Sequence, residues 1–254
     1  MNILPIAFNT YKEAIRDKVL YIILLFSIFM ILGSLLLSTL SMGQVEKVIV
    51  DMGLASISIF GVLITLFVGT NLLSKEIDKK TIYLLLTKPL RRSSFIIGKH
   101  LGLSITLFVI VSIMTVLFYG LIYFVTSTTP AIYLQAIFLS YIELTLLVAI
   151  AILFSTIASP VMSSIYTLAV YIIGHFSHDL LNFGELSKNP TFIAVTKIIY
   201  YILPDLEKLN IKNLVAYSPN SLNTEIFTGG IVYGLIYTSV LLVISIFIFE
   251  FKEF

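Results

Sequence analysis

The length of the uncharged apolar stretches constrains this chain more than any other feature. Residues 101–142 contain no Asp, Glu, Lys, Arg or His, and residues 19–40 and 52–73 are equally free of these side chains. Hydrophobic residues make up 58% of the 254 positions, and the mean hydropathy is +1.04. A soluble domain of this length cannot bury so much apolar surface. The sequence therefore predicts a membrane protein.

The apolar stretches predict an all-α, polytopic fold with six transmembrane helices. A bilayer core about 30 Å thick requires about 20 apolar helical residues. The polar cluster at 126–130 divides the longest stretch into a third and a fourth span. The Ser159–Pro160 pair ends the fourth span, since proline disfavours helix at the preceding residue. We expect residues 1–254 to form a single transmembrane domain. The predicted spans are 19–40, 52–73, 101–125, 132–157, 161–176 and 231–249.

The distribution of lysine and arginine predicts the orientation of the spans. Basic residues concentrate in cytoplasmic loops of membrane proteins. With the loop at 74–100 in the cytoplasm, both termini lie there too, and most of the 16 basic residues are inside. We expect a multi-pass protein of the inner (cytoplasmic) membrane. The basic residues of this loop are Lys75, Lys79, Lys80, Lys88, Arg91, Arg92 and Lys99.

Two segments outside the predicted spans also have helical patterns. Residues 1–18 place Leu4, Phe8, Tyr11 and Ile15 at helical spacing among charged residues, which predicts an amphipathic helix on the inner membrane surface. Residues 177–230 are too apolar for a free loop, and their three- and four-residue spacing predicts short helices in the outer interface.

The loop at 75–99 is the most informative segment of the chain. Its basic, amphipathic pattern, broken at Pro89 and resumed as a short piece over 90–97, is typical of a helix parallel to the membrane. Such a loop sets topology or contacts anionic lipid, or it docks on a soluble partner. We expect Gly98 to connect the short piece to the third span.

The order of residues in this loop resembles the signature of ABC-2-type transporter permeases. The similarity includes Lys75-Glu76, the run from Thr81 to Leu86, the run from Lys88 to Arg92, and Gly98-Lys99-His100-Leu101-Gly102. Many members have a glycine before the threonine, where this chain has Lys80. Two further stretches fit the family, residues 13–16 in its surface elbow helix and residues 203–207 in its outer segment.

The resemblance implies the membrane subunit of an ATP-driven transporter, and an exporter is the direction we expect. The family pairs two permeases, identical or different, with two ATPase subunits that carry ATP and magnesium, so this chain itself would bind no cofactor. The elbow helix would include Glu13 and Arg16. The residues implied to couple the permease to the ATPase are Glu76, Thr81, Lys88, Pro89, Leu90, Arg91, Arg92, Phe95 and Lys99.

The sequence shows no nucleotide-binding motif and no catalytic constellation. Gly98-Lys99 is followed by His100, whereas a phosphate-binding loop requires Ser or Thr at that position. The partners we expect are a separate ATPase, a second permease and the lipid bilayer. A net charge of +2 gives no reason to expect a nucleic-acid partner.

Three other features leave alternatives open. Glu143 lies inside the fourth predicted span, where a carboxylate is costly, and it would serve an ATP-independent carrier or channel, or a structural hydrogen bond. His175, His178 and Asp179 are weak metal-ligand candidates and the only material for a membrane-embedded metal-dependent enzyme. The Gly98/Gly102 and Gly230/Gly234 pairs predict close helix packing, which we expect within the chain rather than across a dimer.

Overall fold

The structure is a computed structural model that describes residues 3–38, 43–70, 92–127, 129–187, 189–217 and 224–251. Within these ranges the chain is helical and contains no β-strand. The helices are α1 (Ile3–Ile15), α2 (Lys18–Ser38), α3 (Val45–Ile64, continued by a π-helix at Thr65–Gly69), α4 (Arg92–Thr126), α5 (Ile132–Ile157), α6 (Pro160–His175), α7 (Ser177–Leu186), α8 (Pro190–Ile202), a 3-10 turn (Leu206–Leu209), α9 (Lys212–Tyr217) and α10 (Thr224–Phe251).

The all-α, polytopic prediction is confirmed. Five helices in the described ranges are long and apolar enough to cross a membrane: α2, α3 with its π-helix, α4, α5 and α10. The helix at the fifth predicted span, α6, has 16 residues. At 1.5 Å per residue it is about 24 Å long, which is short of a bilayer core of about 30 Å. A complete crossing by α6 stays a prediction.

The short piece predicted at 90–97 is not separate from the third span. Helix α4 begins at Arg92 and runs without a break to Thr126. No proline interrupts this stretch, and a glycine inside a helix costs only about 1 kcal/mol relative to alanine, so Gly98 does not end the helix. The prediction of a junction at Gly98 was wrong.

Helix α5 forms the centre of the bundle, and α2 and α10 lie at its edge. Side chains on every face of α5 are buried, among them Leu139, Leu146 and Ile152. In α2 one stripe is buried, whereas Leu25, Phe29 and Leu36 are exposed. Exposed apolar side chains in such number indicate contact with lipid rather than water.

The segment at 205–217, which we call the cap, folds onto the bundle. It comprises Asp205, the 3-10 turn and α9, and it packs against α3, α5, α6 and α10. Leu206, Leu209 and Val215 are almost completely buried. A Cβ on Gly174 would lie 2.8 Å from the Leu206 Cγ, so the last turn of α6 approaches the cap closely because position 174 has no side chain.

Candidate functional site

The first turns of α4 pack against α1 through two glycines. A Cβ on Gly98 would lie 2.7 Å from Ile6, and one on Gly102 would lie 2.5 Å from the Ala7 carbonyl oxygen. The absence of side chains at these positions therefore brings the two helix backbones together. On α1 the side toward α4 includes the buried residues Ala7, Thr10 and Ala14, whereas Leu4 and Phe8 are exposed.

Lys99 and Glu13 form an ion pair between α4 and α1. The Lys99 Nζ is 3.7 Å from the Glu13 Oε2, and the two side chains are 2% and 42% exposed. The Lys99 ammonium also lies 5.8 Å from the centre of the Phe95 ring. A buried ammonium is costly without a partner, and Glu13 supplies one that still reaches solvent.

Arg92 and Phe95 connect the start of α4 to the end of α10. The Arg92 Nη1 donates to the carbonyl oxygens of Phe249 at 2.9 Å and Glu250 at 2.8 Å. These carbonyls belong to the last described turn of α10, and a positive charge is favourable near the C-terminal end of a helix. The Phe95 ring stacks on Phe249 with 5.7 Å between centroids. We call this assembly of α1, the first turns of α4 and the last turn of α10 the elbow junction.

The predicted coupling residues divide into two groups. Arg92, Phe95 and Lys99 lie in the elbow junction, where each contacts other parts of this chain. Phe95 is 6% exposed, so its ring packs inside the protein, and a contact of Phe95 with an ATPase stays a prediction. The other coupling residues lie outside the described residues: Glu76, Thr81, Lys88, Pro89, Leu90 and Arg91. Of the two predicted elbow residues, Glu13 is in α1 and Arg16 follows its last residue.

A second polar site surrounds Glu143 in α5. This side chain is 1% exposed, and its Oε1 is 3.4 Å from the His175 Nε2 at the end of α6. Neither Glu143 oxygen has a hydrogen-bond partner among the described residues. Lys212 and Glu207, both in the cap, act on Glu143 electrostatically. Glu143 is thus the buried acidic group of a cluster that joins the bundle to the cap.

Hydrogen bonds extend this cluster to α3. The Lys212 Nζ donates to the Ser58 Oγ at 2.6 Å, and the Ser58 side chain also lies near the Tyr171 phenol. The His175 Nδ1 lies 3.2 Å from the Tyr171 carbonyl oxygen. We call Glu143, His175, Tyr171, Ser58 and Lys212 the capped cluster. Ser58 and Lys212 were not among the residues predicted from the sequence. The available signal was Lys212 itself, a lysine in the largely apolar segment 177–230.

The far end of the cap is held to α3 by a hydrogen bond at its surface. The Tyr217 phenol donates to the Asp51 carboxylate, and the Lys47 ammonium lies 5.8 Å from the Tyr217 ring. The hydrogen bond to Asp51 and the negative charge of that carboxylate raise the pKa of Tyr217. The phenol therefore keeps its proton and remains a donor at neutral pH.

The three weak metal-ligand candidates are not brought together. His175 faces Glu143, whereas His178 and Asp179 lie exposed on α7. Within the described ranges, no group of three His, Cys, Asp or Glu side chains is placed to hold a metal ion.

Both predicted glycine pairs pack inside the chain. Gly98 and Gly102 contact α1, as described above. A Cβ on Gly230 would lie 3.0 Å from Leu139, and one on Gly234 would lie 2.3 Å from Ile142. The second pair therefore seats α10 on α5, and the expectation of packing within the chain is confirmed.

The fold and the elbow junction define a multi-pass α-helical membrane protein with a surface helix packed on its third long helix. The family comparison makes this class specific. The chain belongs to the ABC-2 family of transporter proteins, because the family model described as "ABC-2 family transporter protein" matches residues 4–254. The resemblance noted in the sequence is thereby confirmed. No curated protein is similar enough in sequence to count as a match.

Proposed function

We propose that this protein is the permease subunit of an ABC exporter, driven by ATP hydrolysis on a separate ATPase that docks on residues 75–91 in the cytoplasm. Two permeases, identical or different, would form the complex in the inner membrane. Membership of the ABC-2 family supports this proposal. The elbow junction is the structural observation that carries it.

The elbow junction would transmit a movement of the docking segment to three helices at once. Residue 92 follows that segment directly, and its guanidinium holds the last turn of α10. Lys99, two turns further on, holds α1. A displacement of residues 75–91 would therefore move α1, α4 and α10 together, which a flexible loop could not do.

The docking surface is tested by charge reversal. We expect R91E/R92E to release the co-purifying ATPase in mild detergent while the protein remains membrane-inserted. R92Q alone separates the two roles of this pair, because it removes the bond to α10 but leaves Arg91 for docking. K188E/K197E, which reverses the same number of charges in the 177–230 segment, should keep the ATPase. Retention of the ATPase by R91E/R92E would refute the docking assignment.

The orientation is tested by labelling, which the absence of cysteine makes simple. A single cysteine at position 80 should react with an impermeant maleimide only in inside-out vesicles, and one at position 182 only in intact cells. The opposite pattern would place residues 75–91 outside and remove the basis for docking. An ion-driven carrier, the alternative raised by Glu143, is distinguished by transport that survives ATP depletion.

A further inference from the structure

We propose that Glu143 and His175 form a proton-binding site, which holds one proton between the Glu143 carboxylate and the His175 imidazole and releases the cap when it takes up a second. The site lies inside the capped cluster. The proposal goes beyond the transport function, because it depends neither on the cargo nor on the ATPase.

His175 carries a hydrogen on its Nδ1 atom. Its Nδ1 is 3.2 Å from the Tyr171 carbonyl oxygen, and a carbonyl can only accept a hydrogen bond. Nδ1 must therefore carry a hydrogen. In a neutral imidazole the other nitrogen is then bare and presents a lone pair.

The lone pair on the His175 Nε2 faces the Glu143 carboxylate. The His175 Nε2 is 3.4 Å from the Glu143 Oε1, and an ionised carboxylate is also only an acceptor. Two acceptors that face each other at a buried carboxylate repel one another. One proton removes the repulsion, whether it forms imidazolium opposite carboxylate or imidazole opposite carboxylic acid. The geometry thus favours one proton in the pair.

Charged and titratable groups from several elements surround the Glu143–His175 pair. From the cap, Lys212 contributes a positive charge and Glu207 a negative one. From α6, Tyr171 is the other titratable group, and from α3 the contact is the uncharged Ser58. On α4, His100 contacts the Thr145 carbonyl oxygen, two residues along α5 from Glu143. With one proton the pair is neutral overall, and Lys212 rests beside it.

A second proton changes this balance. It makes Glu143 neutral and His175 positive at the same time, so the pair gains a net positive charge and the Glu143 carboxylate no longer attracts Lys212. A net positive charge beside the Lys212 ammonium is unfavourable at a buried site. Among the described groups that act on the pair, Glu207, in the same segment as Lys212, is then the negative charge that remains. The cap should therefore separate from the bundle as the pH falls.

The proton itself is observable by nitrogen NMR. The chain has three histidines, so in 15N-histidine-labelled protein in nanodiscs H175Q identifies the His175 signals. We expect Nδ1 to remain protonated at every pH, and E143Q to move the pH midpoint of the His175 signal by more than one pH unit. H178Q, three residues away on an exposed position, should leave it unchanged. A bare Nδ1, or an unchanged midpoint in E143Q, would overturn the proton site.

Release of the cap is observable by cysteine labelling. Val215 is 1% exposed, so V215C in this cysteine-free chain reacts only when the cap moves. We expect its maleimide reaction rate, divided by that of the exposed control N182C, to rise at least tenfold between pH 7.5 and pH 5. The division cancels the pH dependence of the thiol reaction.

The matched variants distinguish release of the cap through His175 from a general loosening of the protein at low pH. In H175Q no cation forms opposite Lys212, so V215C/H175Q should show no rise, whereas V215C/H178Q should behave like V215C. A flat ratio in V215C, or a full rise in V215C/H175Q, would overturn the release step. Either result is independent of ATPase docking, so it leaves the proposed transport function untouched.

Discussion

The elbow junction and the capped cluster each contain a buried charged side chain, but the two are satisfied in different ways. Lys99 is buried and its partner Glu13 is half-exposed, so the ammonium is held by a carboxylate that water can reach. Glu143 is buried and faces an imidazole, and its oxygens lack hydrogen bonds among the described residues. The first pair therefore joins an ammonium to a carboxylate that solvent reaches, whereas the second pairs a buried carboxylate with an imidazole.

The surroundings of the two regions differ in the same sense. The elbow junction is built on close backbone contact at Gly98 and Gly102 and on the stack of Phe95 with Phe249. The capped cluster is built on polar groups from separate segments of chain. Steric packing resists displacement at any pH, whereas a polar cluster responds to protonation. This difference is consistent with the two proposals, in which the elbow junction transmits movement and the capped cluster responds to pH.

The strongest test of this contrast replaces Gly102 with alanine. The new Cβ would lie 2.5 Å from the Ala7 carbonyl oxygen and 2.6 Å from the Thr10 Cβ, so α1 must move. We expect a loss of about 2–3 kcal/mol, typical of overpacking, measured as thermal stability by size-exclusion chromatography in detergent. A Cβ on Gly120, in the same helix, would have nothing within 4 Å, and G120A should be neutral or slightly stabilising. Equal effects of the two variants would contradict a steric junction.

His175→Gln tests the capped cluster and has the second-largest expected loss of stability. The substitution removes the imidazole nitrogen that faces Glu143. The buried Glu143 carboxyl then has a weaker polar partner. We expect a loss of about 1–3 kcal/mol, in the same thermal assay, and little change in H178Q. The double variant E143Q/H175Q should lose less than the sum of the single variants, because the two side chains contact each other. Additive losses would show that they do not interact.

A smaller effect is expected at the ion pair of the elbow junction. E13Q removes the Glu13 charge from beside the buried Lys99 ammonium, whereas K99M replaces that ammonium with an apolar group of similar length. We expect E13Q to cost about 1 kcal/mol, as is usual for a pair with one exposed member, and K99M to cost less. A larger loss in K99M than in E13Q would show that the ammonium has another essential contact.

The smallest expected effect is at Arg92. R92Q loses the charge-assisted bonds to the α10 carbonyls, worth about 1 kcal/mol, while the Phe95–Phe249 stack remains. We expect faster amide hydrogen exchange in the last turn of α10 and little change in melting temperature. R92K keeps the charge and should show an intermediate exchange rate. Exchange unchanged in R92Q would mean that these bonds do not hold α10.

Part of the fold and part of the site were predictable from the sequence. The absence of charge over residues 101–142 required helices in lipid, because backbone groups there must be satisfied internally. The glycine pairs predicted close helix contact, although they could not name α1 as the partner of α4. Continuity of α4 through Gly98 was missed, because one glycine is a weak signal beside a proline-containing segment.

Local patterns established the class of protein, its hydrophobic helices and the segment that resembles an ATPase docking site. These properties depend on neighbouring residues and on the exclusion of charge from lipid, both of which are visible along the chain. The contact of Glu143 with His175, and the arrival of Lys212 on Ser58, depend on how α3, α5, α6 and the cap pack. Lys212 and Ser58 are 154 positions apart, and only the packed bundle brings them together.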